Sequence, residues 1–446
     1  MTQDTPPSAI DRLLSGADWR RRAALWGGGV AVALAAIAFA KASDVAQAAF
    51  QWLLAQSPWY ALLVTPAMFA LLAWSTTRGL ETTRGSGIPQ VIAALQLPEG
   101  WWRRNLSLKV ALAKMLLTVS GLLGGASIGR EGPTVHVGAA LMHAIGRRFG
   151  FRNAVGDGSR QGALFLLAGG AAGIAAAFNT PLAGVVFAIE ELSGTFEHHF
   201  SGTLLTAVIV GGVVSLGLLG NYAYFGNVAT ALPLGRGWLA VLACGAFCGL
   251  AGGVFSRLLL LATDARTRWL GPLRARHPVL LAVCCGVALA ALGLAFGNGA
   301  FGTGYAQARG LLQGQATVGH EFGVVKFAAN LVSYLAGIPG GLFSPALAVG
   351  AGLGHNLAPL LPGVAPTAVV LLGMCAYLTG VTQAPLTSAV ISMELTDNSA
   401  MLLPILATVL IARGASSLVC HQPVYKALAL RLLPMPTAID AKEPRT

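Results

Sequence analysis

Long apolar stretches without charged side chains dominate the pattern of the chain. Phe327–Met393 contains no Asp, Glu, Lys or Arg, although a helix needs only about 20 apolar residues to cross a hydrocarbon core of roughly 30 Å. Five further stretches are uncharged in the same way: 23–40, 161–189, 202–235, 237–256 and 278–308. The pattern predicts ten or more membrane helices, and therefore an all-α polytopic membrane protein.

Glycine and proline interrupt these apolar stretches. The chain holds 57 Gly and 22 Pro, and both residues break or end helices. Irregular backbone at membrane depth is stable only where protein buries it or where it lines a cavity. The interrupted helices therefore predict a conduit through the membrane.

The composition excludes two other classes of protein. Charged residues make up 10% of the chain and hydrophobic residues 55%, whereas a soluble domain is about 25% charged. Such a chain cannot cover a water-soluble surface, and it is too hydrophobic to be disordered. The net charge of +12 is scattered and no basic groove motif is present, so we expect no nucleic-acid partner.

The basic residues instead indicate an orientation. Arg20–Arg22 precede the first apolar stretch, and Arg431, Lys442 and Arg445 follow the last one. By the positive-inside rule, both termini are predicted to be cytoplasmic. Residues 1–22 form a cytoplasmic segment, with either an amphipathic helix or disorder over Pro7–Asp18, and residues 434–446 form a short cytoplasmic tail without an appended domain.

The start of the chain also has a processing alternative. Arg20–Arg22, the apolar stretch and Ala40–Ala42 together resemble a twin-arginine signal with a cleavage site. The apolar stretch is long for a signal and the rest of the chain is polytopic, so a retained first helix is favoured.

No familiar enzyme, cofactor or metal motif appears. Most cysteines lie in apolar stretches, where we expect small buried hydrophobes: Cys244, Cys248, Cys284, Cys285, Cys375 and, at the end of one stretch, Cys420. His198 and His199 would point apart on a helix, which favours a loop over a metal pair. An intramembrane enzyme could use Glu131, Glu190 or Glu191 as acid–base groups, but no nucleophile or metal cluster accompanies them.

Two halves of the chain repeat each other. Gly129–Pro133 (GREGP) and Gly341–Pro345 (GLFSP) each precede a similar run of small residues, and 345 − 133 = 212. The isolated charges Lys114 and Lys326 show the same offset, 326 − 114 = 212. We predict a first membrane repeat over 23–225, a second over 236–433, and a boundary within 221–235.

A second block supports the duplication at a different offset. Pro181 precedes Glu190 by 190 − 181 = 9 residues, and Pro385 precedes Glu394 by 394 − 385 = 9. We expect Glu394 to have a structural role near a helix end and Asp397 to be exposed.

The two repeated glycine–proline motifs predict an anion site. Pro133 and Pro345 suit the first turn of a helix, and a helix start exposes free N–H groups and about half a positive charge. Two such starts at one point near the midplane would bind an anion without a fixed cation. Partial charges suit transport, because the anion must also be released.

Three motifs carry a family resemblance. Gly85–Pro89 (GSGIP), Gly129–Pro133 and Gly341–Pro345 resemble the pore motifs of the CLC family of chloride channels and transporters. Further similar segments are Phe178–Gly184 through Glu190-Glu191, Glu394–Asn398 and Tyr425. The resemblance covers roughly residues 23–433 and implies an all-helical inverted repeat of tilted and broken helices, a homodimer in lipid, and one anion pathway per subunit. The Ala-, Leu- and Gly-rich composition favours a prokaryotic inner membrane.

The resemblance implies the chloride ligands. Ser86 and Tyr425 would donate their hydroxyls to chloride, and Leu342 and Phe343 would donate backbone N–H groups. Gly132 would belong to the same site. A serine at 86 resembles the chloride-handling members, whereas proline there would suggest nitrate, and Asn or Met would suggest fluoride.

The carboxylates indicate proton coupling. A carboxylate within the membrane is costly and therefore functional by default, and the resemblance makes Glu131 the external gate that competes with chloride. Glu190-Glu191 resembles the exchangers, and the resemblance implies that this pair takes part in proton transfer, with Glu191 passing protons from the cytoplasmic side. The alternatives are a passive chloride channel of the same fold and a Glu191 at a solvated helix end. Lys114 and Lys326 either add positive potential or pair with a carboxylate.

Overall fold

The computed structural model describes residues 16–151, 161–193, 201–220, 222–268, 270–315 and 318–433. The predicted amphipathic segment up to residue 15, the His198-His199 pair and the tail 434–446 lie outside the described residues. Within those ranges the regular structure is entirely helical.

The helices of the first half, in chain order, are α1 (Gly16–Gln56), α2 (Ala61–Thr77), α3 (Ile88–Ala94), α4 (Glu99–Asn105), α5 (Leu108–Leu123), α6 (Glu131–Arg148), α7 (Gln161–Phe178), α8 (Pro181–Phe187) and α9 (Ser201–Leu219). Those of the second half are α10 (Leu239–Thr263), α11 (Leu270–Arg276), α12 (Pro278–Phe296), α13 (Tyr305–Leu312), α14 (Phe322–Leu335), α15 (Phe343–Leu357), α16 (Pro366–Thr382), α17 (Pro385–Thr396), α18 (Leu402–Val419) and α19 (Val424–Leu430). A non-helical segment between α9 and α10 lies where the sequence predicts the boundary of the repeats.

Many of the helices are too short to cross a membrane alone. Among the described residues, 8 candidate spans are long and apolar enough to do so, and α14 and α16 are shorter apolar helices. Helices α6 and α15 each begin two residues before their proline, Pro133 and Pro345, as the motifs predict. The glycine- and proline-rich motifs therefore place helix starts inside the molecule.

Two glutamates cap helices across the repeat. Both oxygens of Glu394 accept backbone N–H groups at the start of α8, from Leu182 at 3.2 Å and Ala183 at 2.6 Å. Glu190 accepts the corresponding pair at the start of α17, at 3.1 and 2.6 Å. Each half thus caps a helix of the other half, which confirms the structural role predicted for Glu394, and Asp397 is exposed as expected.

Small residues bring α10 and α18 into close contact. A Cβ added at Gly249 would lie 2.5 Å from Ala412 Cα, and one at Gly253 would lie 2.9 Å from Ser416 Cα. Gly245 faces the same helix. Backbones this close leave no room for larger side chains, as in other membrane helix pairs.

The cysteines are buried with one exception. Cys244, Cys248, Cys285, Cys375 and Cys420 are buried, but Cys284 is exposed. The expectation for Cys284 was wrong, because its neighbour Cys285 takes the inward-facing position on α12.

The α10–α18 contact gives a prediction about stability. Gly249→Ala should lower the free energy of unfolding by about 1–3 kcal/mol, because its methyl group would overlap the backbone of α18. Thermal unfolding of the protein in detergent would measure the loss. The matched control is Gly414→Ala on α18, where an added Cβ meets nothing within 4 Å and stability should not fall. Equal unfolding temperatures for the two variants would contradict the proposed packing.

Candidate functional site

The three glycine-rich motifs meet at the centre of the molecule. Gly129 and Gly341 exchange two backbone hydrogen bonds, each 2.7 Å long. The Gly340 N–H donates to the Gly85 carbonyl at 3.3 Å, which joins the third motif to the other two. The starts of α6 and α15 therefore converge, as the repeat predicts.

Glu131 lies at this junction and its carboxylate is placed on the start of α15. The residue is 1% exposed. The Ser344 hydroxyl donates to Oε1 at 2.5 Å, and the Ser344 backbone N–H donates to Oε2 at 3.4 Å. A negative group is favoured there because the helix start carries free N–H groups and partial positive charge.

The neighbouring arginine points away from Glu131. The Arg130 guanidinium donates to the Ala40 carbonyl at 2.7 Å and pairs with Asp44 at 2.5 Å, both on α1. Arg130 thus anchors the long first helix. The hydrogen bonds to the Glu131 carboxylate come from Ser344 on α15.

Ser86 and Tyr425 place two hydroxyl groups beside each other near this junction. Both side chains are buried, and Tyr425 lies next to Ser86 and stacks on Phe343 with ring centroids 6.2 Å apart. Apart from their contact with each other, neither hydroxyl has a hydrogen-bond partner within the described part of the chain. Leaving a buried hydroxyl unpaired costs about 1–3 kcal/mol, so this pair is suited to a ligand that accepts hydrogen bonds.

Backbone groups of the glycine-rich motifs lie close to these two hydroxyls. In the described ranges, the N–H groups of Leu342 and Phe343 donate to no protein acceptor. Gly132 packs directly on Ser86, and a Cβ there would overlap the Ser86 hydroxyl. The structure therefore brings Ser86, Gly132, Phe343 and Tyr425 into contact, with Leu342 next to Phe343 in the chain.

A related loop in the second half has its hydroxyl bonded to an acceptor from the protein itself. Gly302–Gly304 (GTG) precedes α13 as Gly85–Gly87 (GSG) precedes α3. The N–H and hydroxyl of Thr303 both bond to Gln47 Oε1, at 2.9 and 3.1 Å. An amide oxygen thus satisfies Thr303, whereas Ser86 lacks such an acceptor. The sequence pattern does not reveal this pair of loops, because their offset, 302 − 85 = 217, differs from the offsets of the other repeated motifs.

The two adjacent glutamates face different surroundings. Glu191 is 2% exposed in a π-helical turn, Ala188–Ser193, and is close enough to Tyr425 and Lys426 to interact electrostatically. Its Oε1 has no partner among the described residues. Burial excludes the alternative that Glu191 sits at a solvated helix end. Both oxygens of Glu190 accept backbone N–H groups at the start of α17, so Glu190 does not fit the proton-transfer role predicted for it.

The two isolated lysines are fully buried. Lys326 Nζ donates to the carbonyls of Ala300, Phe301 and Gly302 at 3.2, 3.0 and 2.7 Å. Lys114 Nζ reaches only the Gly85 carbonyl, at 3.5 Å. Of the two roles left open, pairing with a carboxylate is not found in the described residues; each lysine instead holds a glycine loop.

A cavity of about 450 Å³ opens beside Ser86. Its wall carries three arginines, Arg84, Arg274 and Arg431, against one carboxylate, Glu81. Excess positive charge around a cleft raises the local concentration of anions. The cavity therefore places an excess of positive charge beside Ser86.

Comparisons with known proteins agree with this geometry. The family model described as voltage gated chloride channel matches residues 68–417. An H(+)/Cl(-) exchange transporter ClcA of Yersinia pestis is 32% identical over 91% of this chain and 86% of its own length. The ClcA of Citrobacter koseri is 29% identical over 91% of this chain and 87% of its own length.

Solved structures share the fold. A slow cyanobacterial Cl-/H+ antiporter has a TM-score of 0.78 at 24% identity, covering 94% of this chain and 99% of that one. A CLC-type fluoride/proton antiporter has a TM-score of 0.74 at 21% identity, covering 94% and 100%. Together with the match of the family model, these similarities show that the chain is a multi-pass membrane protein of the CLC chloride channel and transporter family.

Proposed function

We propose that the chain exchanges chloride for protons across the membrane, with Glu131 as the external gate and Glu191 as the internal proton-transfer residue. The position of the Glu131 carboxylate on the start of α15 carries the proposal. The carboxylate occupies donors that an anion would use, and it lies close to the buried hydroxyls of Ser86 and Tyr425. The names of the ClcA relatives support the same exchange.

Competition at one site couples the two ions. Ionised Glu131 and chloride carry the same charge and require the same N–H and hydroxyl donors. When Glu131 is protonated, it loses its attraction to the helix start and can move aside for chloride. Each chloride that enters therefore requires a proton on this carboxylate, which ties anion occupancy to proton binding.

Glu191 supplies the second proton position. Its buried carboxylate is close enough to Lys426 and Tyr425 to interact with them electrostatically. Tyr425 interacts electrostatically with both glutamates. A proton reaching Glu191 from one side could pass to Glu131 without following the chloride route.

The cellular setting follows from the family and the composition. We propose a homodimer in the bacterial inner membrane, surrounded by lipid, with both termini cytoplasmic and no cofactor or catalytic activity. The apolar spans, the bacterial relatives and the flanking arginines support this setting.

Proton coupling can be tested in liposomes that contain the purified protein and a chloride gradient as the sole driving force. Wild-type protein should move protons uphill, and Glu191→Gln should abolish that movement while chloride flux persists, because the amide cannot carry the proton. Glu321→Gln, which alters an exposed carboxylate, is the matched control and should stay coupled. Chloride flux without proton movement in the wild type would identify a passive channel instead.

The gate can be tested by removing its carboxylate. Glu131→Ala should leave chloride flux intact but eliminate uphill proton movement and the pH dependence of the flux, since no titratable group competes for the site. The measurement is chloride efflux together with internal pH over a range of external pH. A Glu131→Ala protein that still pumped protons would show that the gate lies elsewhere.

The arginine-lined cavity predicts a salt dependence. Arg84→Gln should reduce chloride flux by about twofold to fivefold at low ionic strength, and the difference should shrink as salt screens the charge. Arg84 is suitable because its guanidinium forms no hydrogen bond or ion pair within the described residues. The control Arg148→Gln removes an exposed charge outside the cavity. An equal effect of the two substitutions would exclude a specific role for the cavity.

A further inference from the structure

Ser344 is the one residue whose side chain hydrogen-bonds to Glu131 in the described part of the chain. Its hydroxyl donates to Oε1 at 2.5 Å, whereas its own backbone N–H reaches Oε2 only at 3.4 Å. Both residues are buried, Glu131 at 1% and Ser344 at 4% exposed. The hydroxyl therefore makes the shorter of the two contacts that hold the carboxylate.

The Ser344 hydroxyl is not used by its own helix and is free to donate to Glu131. Ser344 is the second residue of α15, and its side chain makes no hydrogen bond to its own helix. A side-chain hydroxyl is not required to start this helix, because Pro345 and the convergence of the glycine motifs already determine where it begins. The contact with Glu131, which is 344 − 131 = 213 residues away in the chain, is therefore not needed to start the helix.

The contact distinguishes between the two states of the carboxylate. A hydroxyl donates a charge-assisted hydrogen bond to an ionised carboxylate, which is shorter and roughly twice as strong as a neutral one. Protonation of Glu131 removes that assistance and places a second donor in the same space. The Ser344 hydroxyl therefore favours the ionised, bound form of Glu131 over the protonated, released form.

Other groups near Glu131 do not duplicate this contact. The charged or titratable groups that interact with it are Arg130 on its own chain segment, Tyr224 from the segment between the repeats, and Tyr425 on α19. Arg130 donates its hydrogen bonds to α1. Ser344 on α15 is the group in direct contact.

We propose that the Ser344 side chain is a positioning residue for the gate: it holds ionised Glu131 on the start of α15 and thereby sets the proton concentration at which the gate releases. The inference rests on the proposed function and adds a determinant of its pH dependence. The wild-type hydroxyl delays release until the solution is more acidic, and it slows chloride transport at neutral pH.

The test is the pH profile of chloride flux in liposomes. Ser344→Ala should move the pH of half-maximal flux upward by about one unit and raise the flux at pH 7 severalfold. Ser344→Thr retains the hydroxyl and should restore a profile close to wild type. The control Ser256→Ala removes a buried hydroxyl that donates to the Val381 carbonyl at 2.9 Å, away from the gate, and should leave the profile unchanged.

A double mutant separates positioning from general packing. In a Glu131→Ala background there is no carboxylate to hold, so adding Ser344→Ala should have no effect on flux or its pH dependence. An unchanged profile for Ser344→Ala, or an equal effect with and without Glu131, would overturn the inference. Wild-type protein that carried no chloride would instead contradict the proposed function, so the two failures are distinguishable.

Discussion

The pair of backbone hydrogen bonds between Gly129 and Gly341 holds the centre of this molecule together. Two helices that begin in different halves of the chain are joined there by 2.7 Å bonds, so their positive ends face one region. A side chain at either glycine would crowd this point, because a Cβ at Gly129 would lie 2.5 Å from the Glu131 carboxylate and one at Gly341 would lie 3.0 Å from the Gly132 nitrogen. The glycines thus allow the close approach that creates the anion site.

The two halves have corresponding loops before corresponding short helices, but the hydrogen bonding of the two loops differs. In the GTG loop, the N–H and hydroxyl of Thr303 donate to Gln47, and Lys326 donates three hydrogen bonds to carbonyls at and just before the loop. The GSG loop at Ser86 has neither an internal acceptor nor comparable support, since Lys114 reaches it at only 3.5 Å. A duplicated fold therefore yields one closed loop and one loop that can bind a ligand.

The sequence predicts the helix starts, the close contact of α10 and α18, and the gathering of the pore motifs, because glycine and proline act locally and leave a clear pattern. It does not distinguish Glu190 from Glu191, since the π-helical turn that points them in different directions has no pattern of its own. It also does not reveal Ser344 as a partner of Glu131, because that contact depends on how two distant helix starts meet. Local rules predict the elements, whereas these contacts depend on tertiary geometry.

The distribution of full positive charges explains how such a site could remain reversible. Arg130 is paired with Asp44, Lys326 bonds to three carbonyls, and the arginines of the cavity lie along its wall. None of these cations makes a direct contact with Glu131 in the described residues. The hydrogen bonds to Glu131 at the centre therefore come from an N–H group and a hydroxyl, each of which carries only partial charge. A protonated carboxylate can leave such donors and an anion can be released from them, whereas a buried cation in contact would retain either one.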